Sequence, residues 1–464
     1  MTAIVTTKFR VTNAENFKED LSQSSVYIGI AKGDAWSEQF TDLTDAIDGE
    51  PGYPPLPKDY QTDTIEFHNN LIALKLLNPS DVTHTVPRYN WNAGEAYYAW
   101  DDRDEDIFAK PFFVMTSQYK IYKCLHAGPA ASTVEPTTNS SEVPETCIDG
   151  YVWKFMCFIQ AEATDRFLTK NFMPIRTAVA ADEAVGGVNW EHYGWQREAI
   201  ATDGAIYDIV MSVENGGGAG YTTPTVTIVG DALANGGVEA TASAVVVDGV
   251  ITKINVDNPG SKYKNAKVVI TNPVGVSTDA TYRAVLPPVN GHGADPVREL
   301  GAFYVIVNAK LDGDEGEGDF IINNSFRQIA IVKAPFNAGT EVVATDVTLS
   351  GLKQMTLGTV TNETQFLPGD TFIGTTSGAQ AYVDSYDKVT GVLKYHQNSK
   401  SGFIAFVDND PVVANAGGLG TVSAGTQLPA EYERYSGEVI FLEDRGPVNR
   451  YAAQIEDVKI VIEF

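Results

Sequence analysis

Side chains that could do chemistry occur in short runs along this chain of 464 residues, and none of these runs completes a metal-binding pattern. His292 lies between two glycines and precedes Asp295, but a metal site needs three or four ligands, and no second ligand stands at metal spacing. The acidic run at residues 312–319 carries calcium-type oxygens but lacks the helix-flanked pattern of an EF-hand. We therefore predict a solvated acidic hairpin there, and we expect neither a metal site nor a bound cofactor.

Catalytic patterns are also incomplete. The glycine-rich stretch at 216–220 is not followed by the Lys-Ser/Thr pair of a phosphate-binding loop and opens no helix, so it predicts a turn. Glu443 and Asp444 are neighbours on a predicted strand and point to opposite faces, which is a poor arrangement for two glycosidase carboxylates. The sequence has no nucleophile elbow, zincin motif or Rossmann fingerprint. We expect that the protein is not an enzyme, and a glycan hydrolase is the least favoured of three function classes.

The charge of the chain excludes two classes of partner. It has 33 basic and 60 acidic residues, for a formal net charge of −27, which opposes binding to nucleic acid or to an anionic membrane. No stretch approaches the roughly 20 apolar residues of a membrane helix, and the first ten residues lack a signal-peptide pattern, so synthesis in a cytoplasm is expected. Cys124, Cys147 and Cys157 have no Cys-x-x-Cys spacing and are predicted to be buried free thiols.

Short apolar runs between glycines and prolines predict a mainly β protein with a minor α+β part. The start predicts a β-α-β unit, with strands at 4–9 and 26–30 and a helix at 14–21 capped by Asn13. Strand pairs are predicted within 112–125 and 151–159, separated by a loop at 127–144. The runs at 326–332 and 439–442 are typical of strands that are covered on both faces and share one sheet.

Two stretches predict separate β modules. The first stretch, at 201–300, contains an internal repeat, because five of six positions are identical at a shift of 42 residues. The six are Gly218, Tyr221, Val226, Ile228, Ala242 and Ala244, and their counterparts are Gly260, Tyr263, Val268, Ile270, Ala284 and Leu286. The second stretch, at 351–430, has short strands at regular spacing with glycine turns and predicts a small barrel or sandwich.

Candidate interface residues come from the acidic stretch at 34–106, which has 16 acidic and 4 basic residues and hence a net charge of −12. The proline-rich segment at 51–57 is either a loop packed on its own domain, which is favoured, or an arm laid on a neighbouring subunit. The aromatic cluster that follows is either a set of interface anchors or a core under a loop. The candidates are Tyr53, Leu56, Trp91, Tyr97, Tyr98 and Trp100. The stretch is predicted to face a basic partner surface, with mere solubility as the alternative.

Four segments, in this order, carry a family resemblance over about half of the chain. They are residues 3–10, residues 149–153 (Asp-Gly-Tyr-Val-Trp), residues 326–329 (Phe-Arg-Gln-Ile), and residues 436–438 (Ser-Gly-Glu) with 443–445 (Glu-Asp-Arg). In them the chain resembles the dimeric baseplate wedge subunit of contractile-tailed, myovirus-type bacteriophages. The stretches near 200–300 and 350–430 look like additions to the family pattern.

The resemblance implies a structural subunit of the virion's tail baseplate. It implies a homodimer that bridges wedge-core proteins and a peripheral trimeric tail protein. It also implies a discontinuous β-rich core at 1–200, 301–350 and 431–464, from which the modules at 201–300 and 351–430 project. The alternative is a receptor- or carbohydrate-binding β-rich tail protein.

Overall fold

A computed structural model describes residues 6–33, 56–140, 143–175, 204–213, 216–272, 275–276, 278–289, 291–311, 321, 323–451 and 454–464. The mainly β prediction is confirmed, since strands hold 41% of the residues and helices 13%. The helices are α1 (Thr7–Gln23), α2 (Tyr60–Asn69), α3 (Ala161–Phe167) and α4 (Pro296–Glu299). In the described part of the chain, no helix has the length and apolar character needed to cross a membrane.

The strands of the first half are β1 (Val26–Ala31), β2 (Leu71–Leu76), β3 (Val82–Pro87), β4 (Phe113–Met115), β5 (Lys120–His126), β6 (Glu145–Thr146), β7 (Val152–Phe158), β8 (Phe172–Ile175), β9 (Ile209–Met211), β10 (Thr225–Gly230), β11 (Thr241–Val247) and β12 (Val250–Asn258). Those of the second half are β13 (Ala266–Thr271), β14 (Tyr282–Ala284), β15 (Tyr304–Leu311), β16 (Asn324–Lys333), β17 (Thr348–Ser350), β18 (Lys353–Thr361), β19 (Thr371–Gly374), β20 (Gln380–Asp387), β21 (Val392–His396), β22 (Pro411–Ala414), β23 (Leu419–Val422), β24 (Glu438–Arg450) and β25 (Glu456–Glu463).

The start of the chain corrects one prediction. Residues 7–9 were predicted to belong to a strand at 4–9, but they form the first turn of α1. The side chain of Thr6 accepts a hydrogen bond from the backbone N–H of Phe9 at 3.3 Å, which is the contact of a helix cap. Thr6 therefore starts the helix seven residues before the predicted cap, Asn13, whereas β1 confirms the predicted strand at 26–30.

The chain divides into two compact units. The first unit comprises Met1–Asn16, Thr83–Ile306 and Val461–Phe464, and the second comprises Phe17–Val82 and Val307–Ile460. The core that was predicted from the resemblance is divided between these two units. The stretch at 201–300 lies wholly in the first unit, and the stretch at 351–430 lies wholly in the second.

The core of the first unit is built on a four-stranded sheet in the order β4-β5-β7-β6. The predicted pairing is confirmed, because β5 and β7 are antiparallel neighbours, with Tyr122 opposite Phe155. Trp153 is fully buried and stacks on Tyr151, with ring centroids 5.7 Å apart. The three cysteines are buried free thiols, as predicted.

Both copies of the repeat lie in the first unit. Their strands belong to a sheet in the order β12-β11-β10-β13 and to a pair β14-β9. The hydroxyl of Tyr221 accepts a hydrogen bond from the backbone N–H of Ala280 at 2.8 Å. In the other copy, the hydroxyl of Tyr263 accepts one from the N–H of Ala240 at 2.7 Å. Each buried tyrosine therefore bonds to the backbone of the opposite copy, which explains why both copies retain it.

The second unit contains a five-stranded sheet in the order β17-β2-β1-β16-β24. The two apolar runs share this sheet, as predicted: Ile331 lies opposite Phe441 and Ala330 opposite Leu442. Strand β16 is buried over most of its length, but the prediction that 439–442 is covered on both faces is wrong. Strand β24 forms the edge of the sheet and Ile440 is 41% exposed, so only one of its faces packs on the core.

A closed six-stranded barrel follows in the second unit, in the order β18-β21-β20-β19-β22-β23. The stretch at 351–430, which was predicted to be a small barrel or a sandwich, is therefore a barrel. The barrel has its own apolar core, which includes Met355, Phe372 and Val422. Where the chain enters and leaves it, Gln354 and Leu428 exchange two backbone hydrogen bonds, of 3.1 and 2.9 Å.

This geometry predicts what happens when the barrel is deleted. Replacing residues 352–428 by a short Gly/Ser linker should leave the rest of the chain folded, because the ends to be joined are already adjacent and the lost core belongs to the barrel alone. Circular dichroism and thermal unfolding should show a cooperative transition for the shortened chain. An aggregated product without such a transition would show that the barrel is part of the core and would contradict the predicted domain division.

Candidate functional site

Three of the six predicted interface residues pack against the core of the first unit. Tyr97 is only 7% exposed, and its hydroxyl accepts a hydrogen bond from the backbone N–H of Asn92 at 2.7 Å. Trp91 donates its indole N–H to the Ser132 hydroxyl at 3.2 Å. Trp100 donates to the Leu286 carbonyl at 3.3 Å. For these three aromatics, the structure favours a core under a loop over a set of interface anchors.

Two of the remaining candidates are open to solvent. Leu56 is 87% exposed and Tyr98 is 52% exposed. The Lys110 ammonium lies 5.5 Å from the centroid of the Tyr98 ring, so a cation–π contact covers part of that side chain. Tyr53 lies outside the described residues. Of the four candidates in the first unit, Tyr98 is therefore the one that is exposed.

Part of the negative charge of the acidic stretch at 34–106 is paired with lysine and arginine side chains of the same chain. Asp104 pairs with Lys110 at 2.5 Å, and Glu66 pairs with Lys58. Arg283 donates to Asp101 at 2.6 Å and to Asp102 at 3.2 Å. The stretch is also divided between the two units. Its net charge therefore overstates the negative charge that it offers to a partner.

His292 is buried next to a polar network that is centred on Glu299. Glu299 accepts a hydrogen bond from the Lys123 ammonium at 2.8 Å and from the backbone N–H groups of Gly293 and Asp295 at 2.8 and 3.0 Å. Burial lowers the pKa of His292 well below its usual value, and the positive charges of Lys123 and Lys154 add to this, so the imidazole is neutral. Among the described residues there is no group of three or more potential metal ligands, and residues 312–319 lie outside them.

The strongest candidate site is a cleft of about 490 Å³ in the second unit, which we call the polar cleft. One end of the five-stranded sheet forms part of its wall and the barrel forms another part. Its lining residues are Lys32, Gly33, Asn70, Asn323, Asn324, Ser325, Arg327, Pro368, Gly369, Tyr382, His396, Asn398, Lys400, Asn449, Arg450 and Tyr451. This volume lies within the usual range of about 300–1,000 Å³ for small-molecule sites.

A chain of buried polar contacts crosses from the sheet to the barrel at this cleft. Lys32 donates to the side-chain oxygen of Asn324. The amide nitrogen of Asn324 donates to the carbonyl of Asp384 at 3.0 Å. His396 Nδ1 lies 2.6 Å from the Asp384 carboxylate, and Tyr382 stacks on the imidazole with ring centroids 5.2 Å apart. These mutual contacts fix the side chains in place, so the cleft is preformed.

Two arginines also line the cleft, next to Lys32 and Asn324. Arg450 is buried, pairs with Glu456, and also donates to the Leu311 carbonyl at 3.1 Å. Arg327 donates to the Lys32 carbonyl at 3.2 Å.

Four cationic side chains line the cleft in a chain that is strongly acidic as a whole. Lys32, Arg327, Lys400 and Arg450 line it, and none of the described lining residues carries a carboxylate. Burial lowers the pKa of Lys32, the nearby Asp384 opposes this change, and the charge of Arg327 adds to it.

No signal in the sequence marked this cleft. Its lining residues extend from Lys32 to Tyr451, and no motif has such spacing. The chain matches no protein-family model, and it matches no curated protein either.

Proposed function

We propose that this chain is a structural subunit of a contractile-tail baseplate wedge. In this role it forms a homodimer and bridges wedge-core proteins and a peripheral trimeric tail protein in the virion. One observation carries most of the proposal: two segments of the resemblance, about a hundred residues apart, lie side by side in one sheet. Gln328 is opposite Asp444 and Ile329 is opposite Glu443.

A further segment of the resemblance also has a structural task. One carboxylate oxygen of Asp149 accepts hydrogen bonds from the backbone N–H groups of Thr133 and Val134, at 2.8 and 3.1 Å, and from the Ser132 hydroxyl at 3.0 Å. Trp153 in the same segment is fully buried. Residues that shape loops and cores are what a scaffold protein of this kind would share with its family.

Mass spectrometry of purified virions and light scattering of the isolated chain test this proposal. We expect the chain among the virion proteins. In solution at micromolar concentration we expect a particle of twice the 50.2 kDa of one chain. A monomer at that concentration, or absence from virions that assemble in the same cells, would count against the assignment.

A receptor- or carbohydrate-binding tail protein is the second candidate function. The specific observation in its favour is the polar cleft, which is preformed and rich in side-chain amides. A glycan-array screen of the purified chain separates the two candidates, because a scaffold without a binding role should retain no glycan.

A further inference from the structure

We infer that Lys32 and Asn324 are joined by an intramolecular isopeptide bond between the lysine amine and the side-chain carboxamide, with Asp384 as the residue that transfers the proton. This covalent modification goes beyond the proposed scaffold role. All three residues belong to the second unit, so the inference depends on neither the dimer nor the baseplate.

The two reacting groups lie at the same end of two paired strands. Lys32 directly follows β1, Asn324 is the first residue of β16, and these strands are antiparallel neighbours. The side-chain nitrogen of Lys32 donates a hydrogen bond to the side-chain oxygen of Asn324, whose Cγ atom is one covalent bond further on. Lys32 is 8% exposed and Asn324 is 7% exposed. Nucleophile and electrophile are therefore already in contact, at a place from which water is largely excluded.

Asp384 is placed to move a proton between the two nitrogens. It is fully buried, and the amide nitrogen of Asn324 lies 3.4 Å from its carboxylate Oδ1 while donating to its backbone carbonyl at 3.0 Å. The other carboxylate oxygen is 2.6 Å from His396 Nδ1, which fixes the carboxylate in place. The charge of Asp384 also acts on the amine of Lys32. One carboxylate thus interacts with both the attacking and the leaving nitrogen, as general acid–base catalysis requires.

The surroundings favour attack on the carboxamide. The backbone N–H of Ser325 donates to the side-chain oxygen of Asn324 at 2.8 Å. It stabilises the negative charge that develops on this oxygen as the amine adds to Cγ. Burial lowers the pKa of Lys32 against the opposing effect of Asp384, and the charge of Arg327 lowers it further. A lower pKa makes the neutral amine, which is the nucleophile, more accessible.

The reaction balances without a cofactor or an oxidant. The neutral amine of Lys32 adds to Cγ of Asn324, and the Asp384 carboxylate accepts a proton from the attacking nitrogen and passes it to the leaving nitrogen. The bond from Cγ to the amide nitrogen breaks and ammonia leaves, while the new bond from Cγ to Nζ remains as a secondary amide. The product joins the ends of β1 and β16 and closes a loop between residues that are 292 positions apart.

Mass spectrometry of the full-length chain tests this inference. The intact chain should be lighter than its sequence requires by one ammonia, about 17 Da, because the modification releases that molecule. Loss of ammonia at an Asn-Gly pair, such as 235–236, gives the same mass, so a tryptic digest locates the change. We expect one branched peptide, in which residues 19–58, uncleaved after Lys32, are linked to residues 311–327.

Variants assign the roles of the three residues. Lys32→Met removes the nucleophile and Asp384→Asn removes the proton-transfer group, so each variant should lack the branched peptide and release residues 311–327 unlinked. Asn323→Gly is the matched control, because Asn323 lines the cleft next to Asn324 and its φ of +55° suits glycine. This variant should keep the branched peptide. Circular dichroism of each variant checks that it has folded.

Two results would overturn the inference. The first is a wild-type digest with separate, unmodified peptides 19–32 and 311–327 and no branched peptide, which would leave Lys32 and Asn324 joined by a hydrogen bond alone. This measurement does not depend on the folding of any variant. The second is a branched peptide that persists in Asp384→Asn, which would remove Asp384 from the reaction. Virions that contain only the unlinked chain would refute this inference and leave the proposed scaffold role standing.

Discussion

Replacing Glu299 by alanine is expected to lower the free energy of unfolding by about 3–5 kcal/mol, because it leaves the fully buried Lys123 ammonium without its carboxylate. The change also removes the acceptor for the backbone N–H groups of Gly293 and Asp295, which orient the loop before α4. Urea unfolding followed by tryptophan fluorescence measures the effect. The tryptophans among the described residues, Trp91, Trp100 and Trp153, all belong to the first unit, so their signal reports that unit.

A double-variant cycle separates the ion pair from the other contacts of Glu299. Lys123→Met alone should destabilise the unit, since it strands a buried carboxylate. The double variant Lys123→Met/Glu299→Ala removes both charges and should cost less than the sum of the two single changes. Glu239→Ala, at an exposed position in the same unit, is the control and should change stability by less than about 0.5 kcal/mol. A Glu299→Ala variant as stable as this control would contradict the assignment of the network as structural.

Local patterns predicted the strands well because a buried strand needs little beyond its own residues to be recognised. Residues 329–332 of β16 are a continuous apolar run, and the strand lies inside the sheet, between β1 and β24. The run at 439–442 has the same composition but lies at the edge of the sheet. Whether a strand lies at the edge or inside a sheet depends on which strands pair with it. This pairing joins residues about a hundred positions apart, so the run at 439–442 does not by itself indicate an edge position.

The first helix and the aromatic cluster show two other limits. Thr6 and Asn13 are both acceptable caps by residue type, and the choice of Thr6 depends on how the turn at 7–9 packs. Trp91, Tyr97 and Trp100 have the composition of interface anchors, yet their polar atoms find partners inside the unit. Aromatic residues serve cores and interfaces by the same physics, so composition alone does not separate these roles.

The polar cleft could not be predicted because its chemistry arises only from folding. Lys32 directly follows β1, Asn324 begins β16, His396 ends β21 and Arg450 ends β24. Each is an ordinary polar residue at the end of a strand. The sheet and the barrel bring them together from four distant parts of the sequence.

The repeat, in contrast, could be recognised in the sequence. Its two equivalent glycines, Gly218 and Gly260, lead to a prediction about stability. Gly218 has φ +65° and Gly260 has φ +62°. A Cβ atom at Gly218 would lie 2.6 Å from the Thr278 carbonyl oxygen, and one at Gly260 would lie 2.6 Å from that of Val238. Both contacts are with backbone, which cannot move aside without disturbing the opposite copy.

Gly218→Ala and Gly260→Ala should therefore each lower the free energy of unfolding by about 3–4 kcal/mol, from about 1 kcal/mol for the left-handed conformation and the rest for the displaced backbone. Gly236→Ala is the matched control, because its φ is +74° but nothing lies within 4 Å of an added Cβ, so only the conformational cost of about 1 kcal/mol remains. Urea unfolding of the three variants compares them directly. Equal losses for all three would show that backbone conformation alone fixes these glycines, whereas a large loss at Gly218 with none at Gly260 would mean that the two copies are not structurally equivalent.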